Sequence, residues 1–551
     1  MTSADPYLAK LMGPAGPFEV TETQISEHQL RIFKHAPQNL PQIFNKAREH
    51  GAAEFIVHND QRLSFNDFFK RADAMTTWLQ SEGNIKPKDH IAICMKNCAD
   101  WMISFVAVIN AGAVAVLINS RSAPEAMLQA VSDADCKLIL ADKKRHKKFD
   151  EVGCTLPTIS DYENHIYNYD GSPEIHHSNA DDMTAMFFTS GTTGRAKAAM
   201  ITHRNIITGM MSTQMAITSI FLRMADQMGI TPDVLKANAP QQCSLVIFPL
   251  FHISGCSSAF LTSLQSGGKL VLMDRWSADN TLQLIEKEKV TVMGGVPATH
   301  WDIVNSPTLK DYDLSSLRSI SNGGQALPLN LLNAIIEKFP GIYIGAGYGM
   351  TELTGAIAQA TGEAFISKPN GSGQVLPMID VKIADENGEE IPCGQVGEIW
   401  AKGATLMQGY YGRPEDTARS MHGPWFKTGD IGKLDEDNYI YISDRKTDMI
   451  ISSGENIYCA EVEKIISGHS AIEEITTFGV ADDRLGEKLI AYIRLKPNAD
   501  QDGIEDYAKD NLADYKVPKI FVFSADEWPR NAMGKVKKPA LRDIYLQKVT
   551  S

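Results

Sequence analysis

Paired cysteines are nearly absent from this sequence of 551 residues. Among its eight cysteines only Cys94 and Cys98 lie close together, and no second pair completes a zinc site. Scattered cysteines are typical of reduced thiols, so we expect a cytoplasmic protein. The opening residues, MTSADPYLAK, lack a basic start followed by an apolar run, so we expect no signal peptide.

Long uncharged runs are also scarce. One stretch, WMISFVAVINAGAVAVLI at residues 101–118, is barely long enough to cross a bilayer. Asn110 and Gly112 interrupt it, which favours a buried helix, a turn and a buried strand over residues 114–118. We therefore predict no integral membrane segment.

Positive charge is in deficit. Lys and Arg number 53 against 67 Asp and Glu, which gives a net charge of −14. Nucleic acids and anionic membranes are bound by basic faces, so the acidic balance argues against a nucleic-acid partner. Hydrophobic residues make up 43% and charged residues 22%, as in ordinary globular proteins, which excludes disorder as the main state.

Short apolar runs alternate with helical patterns through most of the chain. Strands are predicted at residues 90–95, 114–118, 137–141, 183–188, 244–249, 269–273 and 290–293, and helices at 124–132 and 281–289. This alternation predicts an α/β protein with largely parallel sheets. From about Gly371 the turn sequences DENG and DEDN predict β-hairpins, and residues 460–467 begin a smaller mixed region that runs to the end of the chain.

The segment FTSGTTGRAK, residues 188–197, is rich in glycine and hydroxyl groups. Its glycines permit close backbone approach, its hydroxyl and N–H groups can surround anionic oxygens, and Arg195 and Lys197 add positive charge. A polyphosphate-binding loop and a polar surface linker both fit this composition. It is not a Walker loop, because no GxxxxGK[ST] sequence occurs in the chain.

A second glycine-rich segment is GAGYGMTE, residues 345–352. Tyr348 could stack on a planar group, and Glu352 is an oxygen ligand of the kind that Mg²⁺ prefers. A glycine-rich turn with a solvated glutamate is the alternative. The segment does not fit GxGxxG, so a dinucleotide-binding fold is unsupported.

Two further segments are less specific. In KTGD, residues 427–430, Asp430 could accept both hydroxyls of a ribose, although an ordinary aspartate in a turn fits as well. In PRNAMGKVKK, residues 529–538, a Gly-Lys pair at a loop tip could place the ammonium of Lys535 in a site that is distant in sequence. A solvated basic tail is the alternative.

Together and in this order, the four segments resemble the adenylate-forming superfamily, which contains acyl- and aryl-CoA synthetases, adenylation domains of peptide synthetases and beetle luciferases. Other segments with counterparts there are THRN, FPLFH, VPAT, GGQAL, DRKTDMIISSGENIY and LADYKVP. The resemblance covers about residues 39–538. It implies an α/β fold, with a large N-terminal domain (1–443) of two βαβ layers plus a distorted β-barrel, and a small mobile α+β C-terminal domain (444–551).

The resemblance implies an ATP-dependent carboxylic acid–CoA ligase that forms an acyl-adenylate and then an acyl-CoA thioester, using ATP, Mg²⁺ and coenzyme A. The implied phosphate-binding residues are Thr189, Ser190, Gly191, Thr192, Thr193, Gly194 and Lys197. The implied adenine-binding residues are Gly324, Gln325, Ala326 and Tyr348, and Gly349 and Met350 belong to the same nucleotide site. Glu352 would bind Mg²⁺, Thr351 would contact the α-phosphate, and Lys535 would bridge the carboxylate and the α-phosphate. Asp430 would bind the ribose, with Arg445 nearby.

The implied acyl and CoA residues are His252, Val296, Gly323, Gly345, Ala346, Gly347 and Gly454. Related proteins often carry a bulky polar residue in place of Ala346, so we expect room for a medium- or long-chain fatty acid or a bulky aryl acid. Refilling of that space by a neighbour is the alternative. The implied hinge is Thr447, where Asp or Lys is usual, and Ala196, Ala198 and Cys459 are further departures.

Apolar residues between His203 and Phe248 recur at helical spacing: Met210, Ile217, Phe221, Met224 and Met228. They could form a lipid-binding wall, a core face or the contact of a homodimer.

A competing function is a stand-alone adenylating enzyme that passes the acyl group to a carrier-protein phosphopantetheine or closes a β-lactone. The compact segment 352–380 lacks the insertion typical of fatty acyl-AMP ligases and favours the CoA ligase. A non-catalytic relative would be expected to lose Lys535 or Glu352, and both are present.

Overall fold

The structure is a computed structural model that describes residues 5–25, 27–189, 196–237, 240–324, 326–446, 448–452, 455–482, 484–531 and 534–550. Within these ranges, no helix is both long and apolar enough to cross a membrane. The apolar stretch at residues 101–118 divides as expected into a buried helix, a turn at Gly112 with φ +77° and a buried strand.

The first part of the chain contains α1 (Pro6–Met12), β1 (Val20–Ile25), β2 (His28–Phe33), α2 (Leu40–Ala47), β3 (Glu54–His58), β4 (Gln61–Ser64), α3 (Phe65–Gln80), β5 (His90–Cys94), α4 (Ala99–Asn110), β6 (Val114–Leu117), α5 (Pro124–Asp133), β7 (Leu138–Ala141), α6 (Lys143–Glu151), β8 (Thr158–Ile159), α7 (Tyr162–His165), β9 (Met183–Thr189) and β10 (Lys197–Thr202).

The middle part contains α8 (His203–Met228), α9 (Pro232–Ala237), β11 (Cys243–Val246), α10 (Thr262–Ser266), β12 (Lys269–Leu272), α11 (Ala278–Glu288), β13 (Val292–Gly295), α12 (Pro297–Val304), β14 (Ser319–Asn322), α13 (Leu329–Lys338), β15 (Tyr343–Met350), β16 (Gly355–Thr361), α14 (Glu363–Ser367), β17 (Gly373–Val375), β18 (Ile379–Ala384), β19 (Gly397–Gly403), β20 (Gly409–Tyr410), α15 (Pro414–Ser420), β21 (Met421–His422), β22 (Trp425–Leu434) and β23 (Tyr439–Arg445).

The last part contains β24 (Ile450–Ser452), β25 (Glu455–Ile457), α16 (Cys459–Ile466), β26 (Ile472–Asp482), β27 (Gly486–Leu495), α17 (Ile504–Asn511), β28 (Ile520–Phe523) and α18 (Lys538–Thr550). Strands β24 to β28 form a separate five-stranded sheet. Its faces carry two small apolar cores, which matches the expected small mixed region at the end of the chain.

Two large sheets make up the rest of the molecule. The seven-stranded sheet has the order β20-β10-β9-β6-β5-β7-β8, and β5 to β9 within it are parallel. The second sheet has fourteen strands, and its parallel part places β12, β11, β13, β14 and β15 side by side. Since parallel strands end at a common edge, the segments after β14 and β15 lie close together.

The predicted α/β pattern is confirmed, with element ends shifted by one to three residues. The two predicted hairpins are β18–β19 and β22–β23, and Asn438 supplies the positive φ that the second turn requires. Strands β17, β18, β19, β21, β22 and β23 continue the fourteen-stranded sheet as its antiparallel end, where the distorted barrel was expected. The pairing among the described strands does not close this end into a ring.

Candidate active site

Tyr348, Asp430 and Arg445 form a hydrogen-bonded cluster on β15, β22 and β23. The Tyr348 hydroxyl donates to Asp430 Oδ2 at 2.7 Å, and Arg445 Nε lies 3.1 Å from Asp430 Oδ1. Asp430 and Arg445 are register partners on adjacent antiparallel strands. Burial and the charge of Asp430 raise the pKa of Tyr348, so this phenol stays a neutral donor. A carboxylate has about four acceptor sites, so Asp430 can still accept hydrogen bonds from a ligand.

The predicted turn before Asp430 is instead an irregularity within strand β22. Residues 428–430 stand opposite a single residue of β19, Ile399, where the pairing register shifts. The Thr428 hydroxyl accepts from the Asp430 N–H at 3.1 Å and donates to the Ile399 carbonyl at 2.7 Å. Gly429 between them has φ +72°, a conformation that disfavours other residues. This bulge presents Asp430, which is 3% exposed.

Glu352 lies in the short helical turn that follows β15. Tyr410 donates a hydrogen bond to Glu352 Oε1 at 2.8 Å, and burial raises the pKa of this carboxyl. The neighbouring backbone is also fixed, because Met407 N–H donates to the Glu352 carbonyl at 2.8 Å. A half-buried carboxylate with one neutral donor is a suitable ligand for a cation. Within the described ranges, no group of three or more His, Cys, Asp or Glu side chains could hold a metal by itself.

The predicted phosphate loop joins β9 to β10, and its residues Ser190, Gly191, Thr192, Thr193, Gly194 and Arg195 lie outside the described residues. Thr189 and Lys197 stand opposite each other at the mouth of this hairpin. Lys197 Nζ lies 3.2 Å from Asp416 and 5.1 Å from the Tyr410 ring centre. Sequence reasoning missed both partners, because neither belongs to a glycine-rich or charged motif.

The predicted adenine-binding segment follows β14. Gly324 has φ +78° and is exposed, as is Ala326, while Gln325 lies outside the described residues. In the next strand, a Cβ on Gly349 would lie 2.1 Å from the Gly355 carbonyl, so only glycine fits this bend between β15 and β16. Met350 and Thr351 are half-buried beyond it.

The predicted acyl residues gather at the ends of β11, β13, β14 and β15. Phe248 is held by Asn97, whose amide donates to the Phe248 carbonyl at 3.0 Å and accepts from Leu250 N–H at 2.9 Å. A Cβ on Gly323 would lie 3.7 Å from the Phe248 ring. His252 has a buried Nε2 without a hydrogen-bond partner in the described chain, and burial lowers its pKa to about 4. This imidazole is neutral at pH 7, in keeping with a role in shaping the pocket.

Gly345, Ala346 and Gly347 follow one another on β15. Gly345 is buried, Ala346 is half-buried and Gly347 is exposed. Ala346 packs against the apolar core on its face of the fourteen-stranded sheet.

Lys535 reaches this same region from the C-terminal part of the chain. A Cβ on Gly534 would lie 3.6 Å from Val296, which is at the start of α12. Burial and the nearby charge of Arg445 lower the pKa of Lys535. Its backbone N–H donates to Asn531 Oδ1 at 3.0 Å, whereas its ammonium has no hydrogen bond or ion pair among the described residues. The structure thus unites Lys535, Arg445, Asp430 and Val296, which are far apart in sequence.

Thr447 and Gly454, the predicted hinge and tunnel residues, lie outside the described residues. Asp444, just before them, is 3% exposed and accepts hydrogen bonds from the backbone N–H groups of Arg445 and Cys459. Burial raises the pKa of Asp444 to about 6. Nearby, Lys538 Nζ contacts Glu463 at 2.7 Å. Sequence reasoning assigned no role to these charged residues, although Asp444 opens the DRKTD segment.

The apolar stripe on α8 is divided between two environments. Met210 is buried, and a Cβ on neighbouring Gly209 would lie 3.1 Å from the Thr354 carbonyl beside Glu352. Ile217, Phe221 and Met228 are 40%, 38% and 60% exposed. The beginning of the helix therefore belongs to the core near the site, and its end does not.

Comparison with protein families gives two matches. The model of the AMP-binding enzymes matches residues 43–411, and the model of the AMP-binding enzyme C-terminal domain matches residues 461–535.

Several characterised proteins are similar over most of their length. A long-chain-fatty-acid–CoA ligase of Bacillus subtilis (strain 168) is 30% identical, with 87% of this chain and 90% of that protein covered. A feruloyl-CoA synthase of an Amycolatopsis species is 30% identical, with 90% and 97% covered. The solved structure of o-succinylbenzoate CoA synthetase from Bacillus subtilis, in complex with its acyl-adenylate intermediate, is 29% identical with a TM-score of 0.76. That comparison covers 92% of this chain and 98% of the other.

Proposed function

This chain belongs to the family of AMP-binding enzymes, and from that premise we propose that it joins a medium- or long-chain fatty acid, or a bulky aryl acid, to coenzyme A. It is an AMP-forming acid–thiol ligase, and its substrates besides the acid are ATP and coenzyme A, with Mg²⁺ as the metal. The observation that carries the proposal is the convergence of Lys535, which has no partner among the described residues, with the Asp430–Arg445 pair and the acyl residue Val296.

The reaction needs two steps because a carboxylate is a poor acyl electrophile. In the first step the carboxylate attacks the α-phosphorus of ATP, the bond to pyrophosphate breaks, and an acyl-adenylate forms. Negative charge is spread over the transferred group, so positioning and fixed positive charge supply most of the rate enhancement. In the second step a thiol attacks the adenylate carbonyl and AMP leaves.

The nucleotide is assigned to the edge formed by β14, β15 and the β22–β23 hairpin. Asp430 accepts the ribose hydroxyls, Tyr348 and the segment with Gly324 and Ala326 hold adenine, and Arg445 contacts ribose and phosphate. The support for these roles is that Tyr348 and Arg445 already orient both Asp430 oxygens. Gln325, Gly349, Met350 and the loop from Thr189 to Gly194, with Lys197, complete the proposed nucleotide site.

Glu352 fits a Mg²⁺ site. Mg²⁺ keeps several waters and commonly binds through one or two carboxylates plus substrate phosphates, so a single half-buried glutamate is sufficient. Bound there, Mg²⁺ would neutralise charge on the polyphosphate. Tyr410 orients the Glu352 carboxylate through its hydrogen bond, and Thr351 is assigned to the α-phosphate.

Lys535 is assigned to the first step. Lys535 is half-buried, and the charges of Arg445 and Asp430 act on its ammonium, which we assign to the place where an acyl carboxylate and the α-phosphate would meet. Since the same lysine would occupy the path of the thiol, the second step requires that the C-terminal domain move. We assign the hinge to Thr447, the domain boundary to residues 443–444 and the lining of the pantetheine path to Gly454.

The acid is assigned to the space lined by His252, Val296, Gly323, Gly345, Ala346 and Gly347. The small residues Gly345, Ala346 and Gly347 on β15 favour a large group over acetate. The eight cysteines are all free thiols, which supports a cytoplasmic location. The exposed end of α8 supports a homodimer, which light scattering of the purified chain would test.

A panel of acids incubated with ATP, Mg²⁺ and coenzyme A tests the proposal. Pyrophosphate, AMP and thioester are measured separately for acetate, octanoate, palmitate and cinnamate. We expect equal amounts of all three products, with octanoate or a larger acid preferred. Preference for acetate would overturn the acid class, and pyrophosphate without thioester would point to a carrier-protein phosphopantetheine or a β-lactone product instead.

A further inference from the structure

His300 is a buried imidazole that the reaction described above does not use. It lies on α12, is 1% exposed, and neither ring nitrogen has a hydrogen bond of normal geometry among the described residues. Burial lowers the pKa of His300 to about 4, so the ring is neutral at pH 7, and the Ser321 carbonyl is the backbone group that faces it. A neutral imidazole offers one donor and one acceptor.

The position of His300 ties it to the acyl residues. His300 lies one helical turn after Val296. The backbone N–H of His300 donates to the Val296 carbonyl at 3.2 Å. Residues four apart share a face of a helix, and side chains lean toward the helix N-terminus. Accordingly, a Cβ on Gly295 would lie 2.9 Å from His300 Cε1, so the ring occupies the space that the missing side chain of Gly295 leaves.

A row of small and polar residues leads from His300 to Ala346. Gly295, Asn322 and Ala346 are register partners on the parallel strands β13, β14 and β15. Partners in register point to the same face of a sheet, so Asn322 and Ala346 lie on the face that His300 contacts. Asn322 is buried and Ala346 is half-buried, and none of the three positions carries a large apolar side chain.

This row suits an acid that is not purely hydrocarbon. A buried donor or acceptor without a partner costs free energy, so a histidine is a poor residue beside an alkyl chain. We propose that His300 is a specificity-determining residue that hydrogen-bonds an uncharged oxygen, a hydroxyl or a carbonyl, carried by the acid beyond its carboxylate. The inference rests on the proposed function, since it requires that the acid lie against Val296 and Ala346.

Matched pairs of acids test the proposal. The pairs are octanoate against its terminal hydroxy and keto derivatives, and cinnamate against its ring-hydroxylated derivative. Pyrophosphate release gives kcat/KM for each acid. We expect the wild type to prefer the oxygenated member of at least one pair by about tenfold or more. In His300→Leu we expect that ratio to fall to near one, in His300→Gln to be partly kept, and KM for ATP to be unchanged in both.

Ser104→Ala is the matched control, because Ser104 is also buried with an unpartnered hydroxyl but belongs to α4, in the core of the seven-stranded sheet. It should leave every substrate ratio unchanged. The role of His300 is overturned if the wild-type enzyme prefers the unsubstituted member of every pair. It is also overturned if the wild-type enzyme prefers an acid that carries a second carboxylate. A His300→Leu enzyme that folds and keeps the wild-type ratio overturns it as well. If no acid at all releases pyrophosphate, the proposed function itself has failed.

Discussion

The nucleotide cluster of the N-terminal domain and the lysine loop of the C-terminal domain handle charge in opposite ways. Asp430 is bonded to Tyr348 and Arg445 on neighbouring elements, so its geometry is set before any ligand arrives. Lys535 is half-buried, and its ammonium has no hydrogen bond or ion pair among the described residues. The first arrangement is suited to a site that keeps its shape through both steps. The second is suited to a group that enters and leaves.

Replacing Lys535 should give the largest loss of activity. We expect Lys535→Ala to lower the rate of pyrophosphate formation about 10²–10³-fold, as when one transition-state donor is removed. Its thermal midpoint should stay the same or rise, because a partly desolvated ammonium that has no ion pair among the described residues has been removed. Stopped-flow pyrophosphate assays and thermal unfolding measure both. Lys537→Ala, at an exposed neighbouring position, is the control, and a lowered midpoint in Lys535→Ala would show that the lysine is structural.

Replacing Asp430 should cost both stability and binding. Asp430→Ala leaves Tyr348 and Arg445 without their partner, which we expect to lower the free energy of unfolding by about 1–3 kcal/mol. KM for ATP should rise at the same time. Denaturant unfolding and initial rates measure the two effects, and Asp430→Asn, which keeps an acceptor for Tyr348, should retain more of the stability. Unchanged stability in Asp430→Ala would contradict the claim that Asp430, unlike Lys535, is held by partners that contribute to the stability of the fold.

Glu352 should show a smaller, metal-linked effect. Glu352→Gln preserves shape and removes the charge, so we expect the Mg²⁺ concentration for half-maximal rate to rise about tenfold, which corresponds to about 1.4 kcal/mol. Tyr410→Phe keeps the carboxylate and removes its orienting donor, and should have a weaker effect in the same direction. A titration of activity with Mg²⁺ distinguishes these outcomes from a uniform loss of rate.

The pH dependence of the first step should report the environment of Lys535. The ammonium is the active form and its pKa is lowered from 10.5, so the rate should fall as pH rises through a value below 10.5. In Lys535→Arg the fall in rate should occur at a higher pH, because a guanidinium stays charged. The measurement is pyrophosphate release against pH at saturating ATP. If the rate of Lys535→Arg falls at the same pH as that of the wild type, the titrating group is not Lys535.

Much of this arrangement is predictable from local sequence. The strand and helix patterns, the buried stretch at residues 101–118 and the turn that contains Asn438 follow from periodicity and turn chemistry. The bulge before Asp430 does not, because it depends on how β22 pairs with β19. The partners that hold the site are not predictable in this way. Tyr410 and Asp416 reach Glu352 and Lys197 across long separations in sequence, and nothing in their local pattern distinguishes them. The same is true of His300, whose burial against β13 and β14 becomes visible only once α12 is packed on these strands.

The most direct test of the division between the two regions is thioester formation by Lys535→Ala from a supplied acyl-adenylate and coenzyme A. The variant that fails to make its own adenylate should convert the supplied one at close to the wild-type rate. Equal loss of both half-reactions would contradict the assignment of Lys535 to the first step alone.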